Sequence, residues 1–395
     1  MKYEDYSMGK YNFDEIINRE VTYSSKWSKD GWTKDIFGGT LPEDRICLHV
    51  ADMDFKCAPK IIEAMHEVAK TGIYGYSSIP KEYYEAVTSW YKRRMNFLFE
   101  NDDIFYFPGT HNAIAKCIEL FTKLNEGIIV LTPSYSYHWD IEPLNRKMVA
   151  VEMNNNDGYY TIDFDRFEEA CKDVNNTLFI LCNPHNPTGR VFNEIELKTI
   201  SDICKKYNVL VVSDEVHSDL IRKDVTFIPS MNVMDNSNLI VATAVNKTFN
   251  LAGLQMTNVI IKDKTLKEPF VNLHNLPTPF GIASVIAAYN YSEDWVDELN
   301  DYLDKSIDEV ISCLHEYLPK VKVYKPEGTY ILWLDFRNYD LTDEELRNRI
   351  YDKAHVVMQG GSNYDEKSKE QFQRICIANP TKQVIEAIKR ISKEF

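Results

Sequence analysis

Short aliphatic and β-branched runs alternate with amphipathic stretches through the middle of this chain. Ile104–Phe107, Gly127–Leu131, Thr177–Cys182, Val209–Ser213, Leu239–Ala242 and Asn258–Ile261 are strand candidates. Several are apolar on both faces, the pattern of strands covered by helices on either side. Helix-like segments such as Asn112–Leu124 and Glu194–Tyr207 lie between them. In the first, Ile114, Cys117, Ile118 and Phe121 recur at i, i+3, i+4 and i+7, a stripe that should face a core. This alternation predicts an α/β layer fold with a mainly parallel sheet. The last hundred residues read differently. A long charged helix over Glu293–Leu318 precedes strands at Val321–Tyr324 and Tyr330–Asp335, then a helix at Asp343–Ala354. A strand at Gln373–Ile377 and a helix from Thr381 follow, and together they predict a smaller α+β domain. The expected division is a large domain over 53–281, with 1–52 and 282–395 forming the small one.

At 395 residues, 44% hydrophobic and 27% charged, the chain can bury a substantial core. Its start, Met1-Lys2-Tyr3-Glu4-Asp5, is polar, and no apolar run approaches the ~18 residues of a membrane span. No membrane association is expected. A net charge of −15 disfavours nonspecific nucleic-acid binding, because the summed field repels polyphosphate. The eight cysteines are scattered without a C-x-x-C pair, which predicts reduced thiols and a cytoplasmic location. The nine histidines show no ligand spacing, so no metal site is expected.

Ligands of open parallel sheets bind at the carboxyl ends of the strands, and the unusual polar residues gather there. Lys247 follows Leu239–Ala242; alone it would be a surface lysine, but enclosed it becomes an amine able to attack an aldehyde. Asp214 ends a run of aliphatic residues, where burial demands a cation: a structural ion pair, or a protonated ring nitrogen. His217, three residues on, either supports Asp214 or is a packed core histidine. Asn183 opens the turn Asn183-Pro184-His185-Asn186-Pro187-Thr188-Gly189, and it either merely belongs to a rigid turn or offers an amide that could donate to a phenolate oxygen. Gly109-Thr110-His111-Asn112 joins a strand to a helix start, where free N–H groups suit a phosphate. Tyr135 follows another strand and either packs in the core or stacks on a flat ring.

Taken in order, three strings carry a resemblance: Asn183-Pro-His-Asn-Pro-Thr-Gly189, Ser213-Asp-Glu-Val-His217 and Asn246-Lys-Thr-Phe-Asn-Leu-Ala-Gly253. The late Arg374 completes the set. The chain resembles the fold type I enzymes of pyridoxal 5′-phosphate (PLP), in the class I/II aminotransferase superfamily, over nearly its whole length. Val50-Ala-Asp-Met-Asp-Phe55, Gly75-Tyr-Ser77 and Gly328-Thr-Tyr-Ile-Leu-Trp333 make it most similar to the cystathionine β-lyase and cystalysin-like carbon–sulfur lyases. The resemblance implies the PLP transferase-like fold and a Schiff base at Lys247. It also implies Asp214 on the pyridine nitrogen, Asn183 on the 3-oxygen and Tyr135 over the ring. Gly109, Thr110 and Thr243 would hold the phosphate, with Tyr76 reaching the neighbouring subunit of a homodimer that shares its active sites. Arg374 would clamp the carboxylate of an amino-acid substrate.

Departures from the family pattern are equally specific. Asn246 replaces a usual serine, Ala244 stands where many relatives carry a hydroxyl, and Gln255 where aminotransferases carry a phosphate-binding arginine. Gln359-Gly360-Gly361-Ser362-Asn363-Tyr364-Asp365 replaces a common Tyr-x-Phe-Gly stretch. The expected function is β-elimination from cystathionine or a related cysteine conjugate, giving thiol, pyruvate and ammonia. The alternatives are transamination, which would use the same lysine, and a PLP-binding regulator without turnover.

Overall fold

The computed structural model describes residues 9–31, 33–37, 41–365 and 371–395. Seven strands form the principal sheet: β1 (Ile104–Pro108), β2 (Gly127–Thr132), β3 (Lys147–Glu152), β4 (Asn176–Cys182), β5 (Leu210–Asp214), β6 (Leu239–Ala244) and β7 (Met256–Ile260). Their spatial order is β1-β7-β6-β5-β4-β2-β3, parallel throughout except that β7 runs antiparallel to both its neighbours. Because β7 is reversed between them, β1 and β6 point the same way. The carboxyl ends of β1, β2, β4, β5 and β6 therefore share one edge.

Period-two alternation splits the strand side chains between two cores. Ile128, Ile180, Val212 and Ile240 pack on one face with Ile114, Cys117 and Ile118 of helix Thr110–Phe121. Ile129, Phe179, Val211 and Val241 belong to the larger core on the other face. The inner strands are buried on both faces, as their unbroken apolar runs require.

The expected small domain contains a four-stranded antiparallel sheet: β8 (Lys322–Val323), β9 (Ile331–Asp335), β10 (Gln359–Gly360) and β11 (Phe372–Cys376), in the order β8-β9-β11-β10. The long helix Glu293–Tyr317 packs against the final helix Thr381–Ser392. Residues Ile46–Cys47 pair in parallel with Val356–Val357, tying the N-terminal segment to this region. The helix expected over Asp343–Ala354 is α-helical only to Arg347 and continues as a π-helix through Lys353.

Three helices of 13 or more residues were not picked out in the sequence: Pro59–Thr71, Lys81–Met95 and Pro279–Tyr291. The third is apolar on all sides and so shows no helical period. It is sandwiched against the other two, with Tyr289 5.1 Å from Trp90 and 5.9 Å from Tyr91, ring centre to ring centre. Gly281, the expected domain boundary, lies in its first turn. The edge strand β3, mostly solvent-facing although it carries Met148-Val149-Ala150-Val151, and the polar hairpin Asn154–Asn156/Tyr159–Thr161 were also missed. Among the described residues no helix is long and apolar enough to cross a membrane.

Candidate active site

A cavity opens at the shared strand edge, lined by Thr110, His111, Tyr135, Tyr137, Asp214, His217 and Lys247 among others. Lys247 lies on the short helix Val245–Thr248 directly after β6. Its Nζ donates to the Ala51 carbonyl at 2.9 Å, an acceptor shared with the Tyr330 hydroxyl at 3.1 Å. Burial, reinforced by the nearby Arg374 guanidinium, lowers the Lys247 pKa; Asp52, Cys376 and Asp214 oppose this. The net effect raises the share of free amine, the nucleophilic and basic form.

Asp214 is the last residue of β5 and is 5% exposed. Its Oδ2 accepts from the Tyr137 hydroxyl at 2.8 Å, and its Oδ1 from the Val216 amide at 3.3 Å. Burial raises its pKa against those hydrogen bonds. The side-chain donor to Asp214 is thus Tyr137, not His217. His217 is held well below its usual pKa by burial and by Lys247 and Arg374, and its ring sits edge-on to Tyr330 at 5.6 Å.

Asn183 is completely buried. Its Oδ1 accepts from the Phe192 amide at 3.0 Å, which fixes the amide plane and leaves Nδ2 buried without a hydrogen-bond partner. A native protein seldom leaves such a donor unpaired unless a ligand completes it. Gly109 caps helix Thr110–Phe121 with φ +97°, and a Cβ there would meet the Gln255 Oε1 at 2.1 Å. Only glycine fits. The Thr110 hydroxyl lies 3.0 Å from that of Thr257.

Arg374, on β11, is 2% exposed and does not line the cavity itself, but its Nη1 lies 3.5 Å from the Oδ1 of Asn186, which does. Its Nη2 donates to the His49 carbonyl, its Nε has no partner, and its guanidinium lies 5.3 Å from the Tyr364 ring centre. Two expected residues fall elsewhere. Thr243 shares its face of β6 with Val241, toward Tyr91 in the larger core, because successive strand residues alternate sides. Tyr76 stands 99% exposed on the surface of the chain.

Sequence reasoning gave no role to His111, Tyr137 or Asp140. His111 Nδ1 lies 2.8 Å from Asp140 Oδ1, and Nε2 lies 3.0 Å from the Tyr135 hydroxyl. The repeated tyrosine in Ser134-Tyr135-Ser136-Tyr137 was the available signal for Tyr137; nothing local marks the other two.

A deeply buried carboxylate in no ion pair among the described residues, an unpaired amide N–H, a free helix start and a desolvated lysine amine fit PLP. They match its ring nitrogen, ring oxygen, phosphate and aldehyde in turn. The family model for class I and II aminotransferases matches residues 43–391. Cystathionine beta-lyase PatB of Bacillus subtilis is 36% identical over 363 residues, covering 89% of this chain and 92% of that protein. Protein MalY of Escherichia coli is 25% identical over 367 residues, covering 91% and 92%. Among solved structures, cystalysin from Treponema denticola, which contains PLP, superposes with a TM-score of 0.91 at 31% identity, covering 97% of this chain and 98% of its own. The PLP-bound C-S lyase from Staphylococcus hominis gives 0.91 at 30%, covering 98% of each. The chain belongs to the class I and II aminotransferase family and is a PLP-dependent enzyme, of the cystathionine β-lyase type or an aminotransferase.

Proposed function

We propose that this enzyme is a carbon–sulfur β-lyase that releases thiol, pyruvate and ammonia from cystathionine or a related cysteine conjugate. The observation that carries this reading is 36% identity to a cystathionine β-lyase across nearly the full length of both chains. When bound, PLP supplies a covalent anchor for the substrate amine and an electron sink for the negative charge at Cα.

The roles of the chain's own residues follow from their surroundings. Lys247 is the anchor for the cofactor and the base that takes the Cα proton, its amine aimed by the Ala51 carbonyl. Asp214, oriented by Tyr137, would pair with the ring nitrogen, and the unpaired Asn183 Nδ2 would donate to the ring oxygen. The N–H groups at Gly109 and Thr110 would hold the phosphate, and Tyr135 would stack on the ring. Arg374 engages the substrate carboxylate through its planar fork, with Asn186 beside it. The Tyr364 ring closes one side of that guanidinium, in the segment where the family's Tyr-x-Phe-Gly stretch is replaced.

We further propose a homodimer in which Tyr76 completes the partner's phosphate site. Ile73, Tyr74 and Tyr76 are 80%, 55% and 99% exposed within four residues, an apolar arm that association would cover.

Pyruvate and thiol release from L-cystathionine and L-cysteine by the PLP-loaded enzyme tests the assignment. Silence across a panel of cysteine conjugates would end it. Transamination is the second reading, favoured by 27% identity over 363 residues to an aspartate aminotransferase of Pyrococcus horikoshii. Consumption of 2-oxoglutarate with an amino acid, without pyruvate release, would select it.

A further inference from the structure

The Tyr135 hydroxyl is tied to a histidine that is tied in turn to a buried carboxylate. His111 Nε2 lies 3.0 Å from the Tyr135 oxygen, and His111 Nδ1 lies 2.8 and 2.9 Å from the two oxygens of Asp140. The two rings are 5.5 Å apart and tilted by 35°. Asp140 is deeply buried and Tyr135 partly so, whereas the His111 side chain is 45% exposed. His111 and Tyr135 both line the cavity.

The direction of the Tyr135–His111 hydrogen bond depends on one proton. In either state Nδ1–H donates to Asp140. With a neutral imidazole, Nε2 is an acceptor and the phenol proton points at it, away from the cavity. With an imidazolium, Nε2–H donates to the phenol oxygen, and the phenol proton is released to point elsewhere. We propose that His111 and Asp140 form a positioning dyad that sets this direction, turning the Tyr135 proton toward the sulfur that leaves the substrate.

This rests on the β-lyase reading, and the step balances. The Cα–H electron pair, freed as Lys247 takes the proton, becomes the Cα=Cβ bond, and the Cβ–S pair departs with sulfur. The Tyr135 proton forms S–H, the phenol oxygen takes the Nε2 proton of His111, and Nδ1–H stays with Asp140. Half-exposed His111 then recovers a proton from water. The surrounding charges are arranged for this. The hydrogen bond that Nδ1–H donates to Asp140 raises the His111 pKa above its usual value against burial, with Asp140 and Asp214 helping electrostatically and Lys247 opposing. Tyr135 is pushed up to about 12 by burial, with Arg374 pulling down and Asp214, Asp140 and Cys182 pushing up. It therefore holds its proton until a thiolate demands it. Asp140 is itself raised by burial and lowered by His111 and His138.

The test is the pH profile of kcat for pyruvate release by the PLP-loaded enzyme, with conjugates of an alkyl and an aryl thiol. An imidazolium requirement makes kcat fall as pH rises through the His111 pKa. Asp140→Asn should move that limb to lower pH, and His111→Phe should abolish it. Both should lower kcat roughly 10²-fold or more for the alkyl leaving group, and far less for the acidic aryl thiol, with KM nearly unchanged. Independently of turnover, histidine NMR of the apoprotein should show His111 titrating lower in Asp140→Asn than in the wild type. Wild-type pyruvate release with an unmoved limb in Asp140→Asn, equal losses for both thiols, or an unchanged His111 titration would overturn the dyad alone. No pyruvate from the wild type would overturn the lyase reading and the dyad with it.

Discussion

Lys26 is fully buried, and its surroundings make an asymmetric prediction. Its Nζ donates to Asp54 Oδ2 at 3.0 Å and to the Asp52 carbonyl at 3.1 Å, with Asn379 Oδ1 at 3.4 Å. Asp54 has further partners: Arg19 Nη1, and the Trp27 indole N–H at 3.0 Å. Burial lowers the Lys26 pKa, but Asp54 and neighbouring groups outweigh it and the net shift is upward, so the ammonium persists. Lys26→Met leaves Asp54 neutralised by Arg19 and removes hydrogen bonds to one charged group, costing about 2 kcal/mol. Asp54→Asn instead strands a buried ammonium with only a carbonyl and an amide beside it, costing about 3–5 kcal/mol. The double variant should cost less than Asp54→Asn alone, because the stranded charge is gone. Urea unfolding followed by tryptophan fluorescence at fixed PLP concentration gives the three values from the midpoints and slopes. If Lys26→Met costs as much as Asp54→Asn, the assignment of Arg19 as the compensating charge is wrong.

Lys247→Ala should abolish pyruvate release and the visible absorbance the protein acquires with PLP; retention of either would remove Lys247 from its role. Arg374→Gln, losing a charge-assisted contact worth ~1.5–3 kcal/mol, should lower kcat/KM by roughly 10- to 100-fold, mainly through KM. Glu215 accepts from the Ser213 hydroxyl at 3.0 Å and the Ser230 amide at 2.9 Å, and burial raises its pKa to about 7. A carboxyl raised on folding holds its proton longer in the native state, so its stabilisation is full below the unfolded value of ~4.3 and is lost as pH rises through about 7. Glu215→Gln should flatten the decline in unfolding free energy across that window; an unchanged slope would refute the shift. Thr243→Val should leave PLP affinity unaltered, whereas Ala244→Ser should tighten it by roughly 2- to 10-fold by adding one hydrogen bond, both read by fluorescence titration of the apoprotein.

The last pair shows where the sequence was legible and where it was not. Lys247, Asp214 and Asn183 stood out because a polar group directly after an apolar strand has few uses except at the ligand edge of a parallel sheet. That edge is set by strand direction, which the runs themselves reveal. Which face a residue presents is set by register, and one position reverses it. The family resemblance implies Thr243 at the phosphate, yet Thr243 shares a face with Val241, in the core opposite the one that holds Ile240. Ala244 has the parity of Ile240, the face from which Asp214 reaches the cavity in β5 beside Val212. The residue on the useful face is the one that lacks the hydroxyl. On the proposed reading, phosphate binding would fall more heavily on the backbone at Gly109 and Thr110, where the Gln255 side chain already occupies the space a Cβ would need. His111 and Asp140 were invisible for a related reason: they are 29 residues apart on different helices, and only packing brings them together. Motifs identify groups whose chemistry the cofactor dictates; the partners that tune those groups are chosen by tertiary contact, and that is where this chain can differ from its relatives.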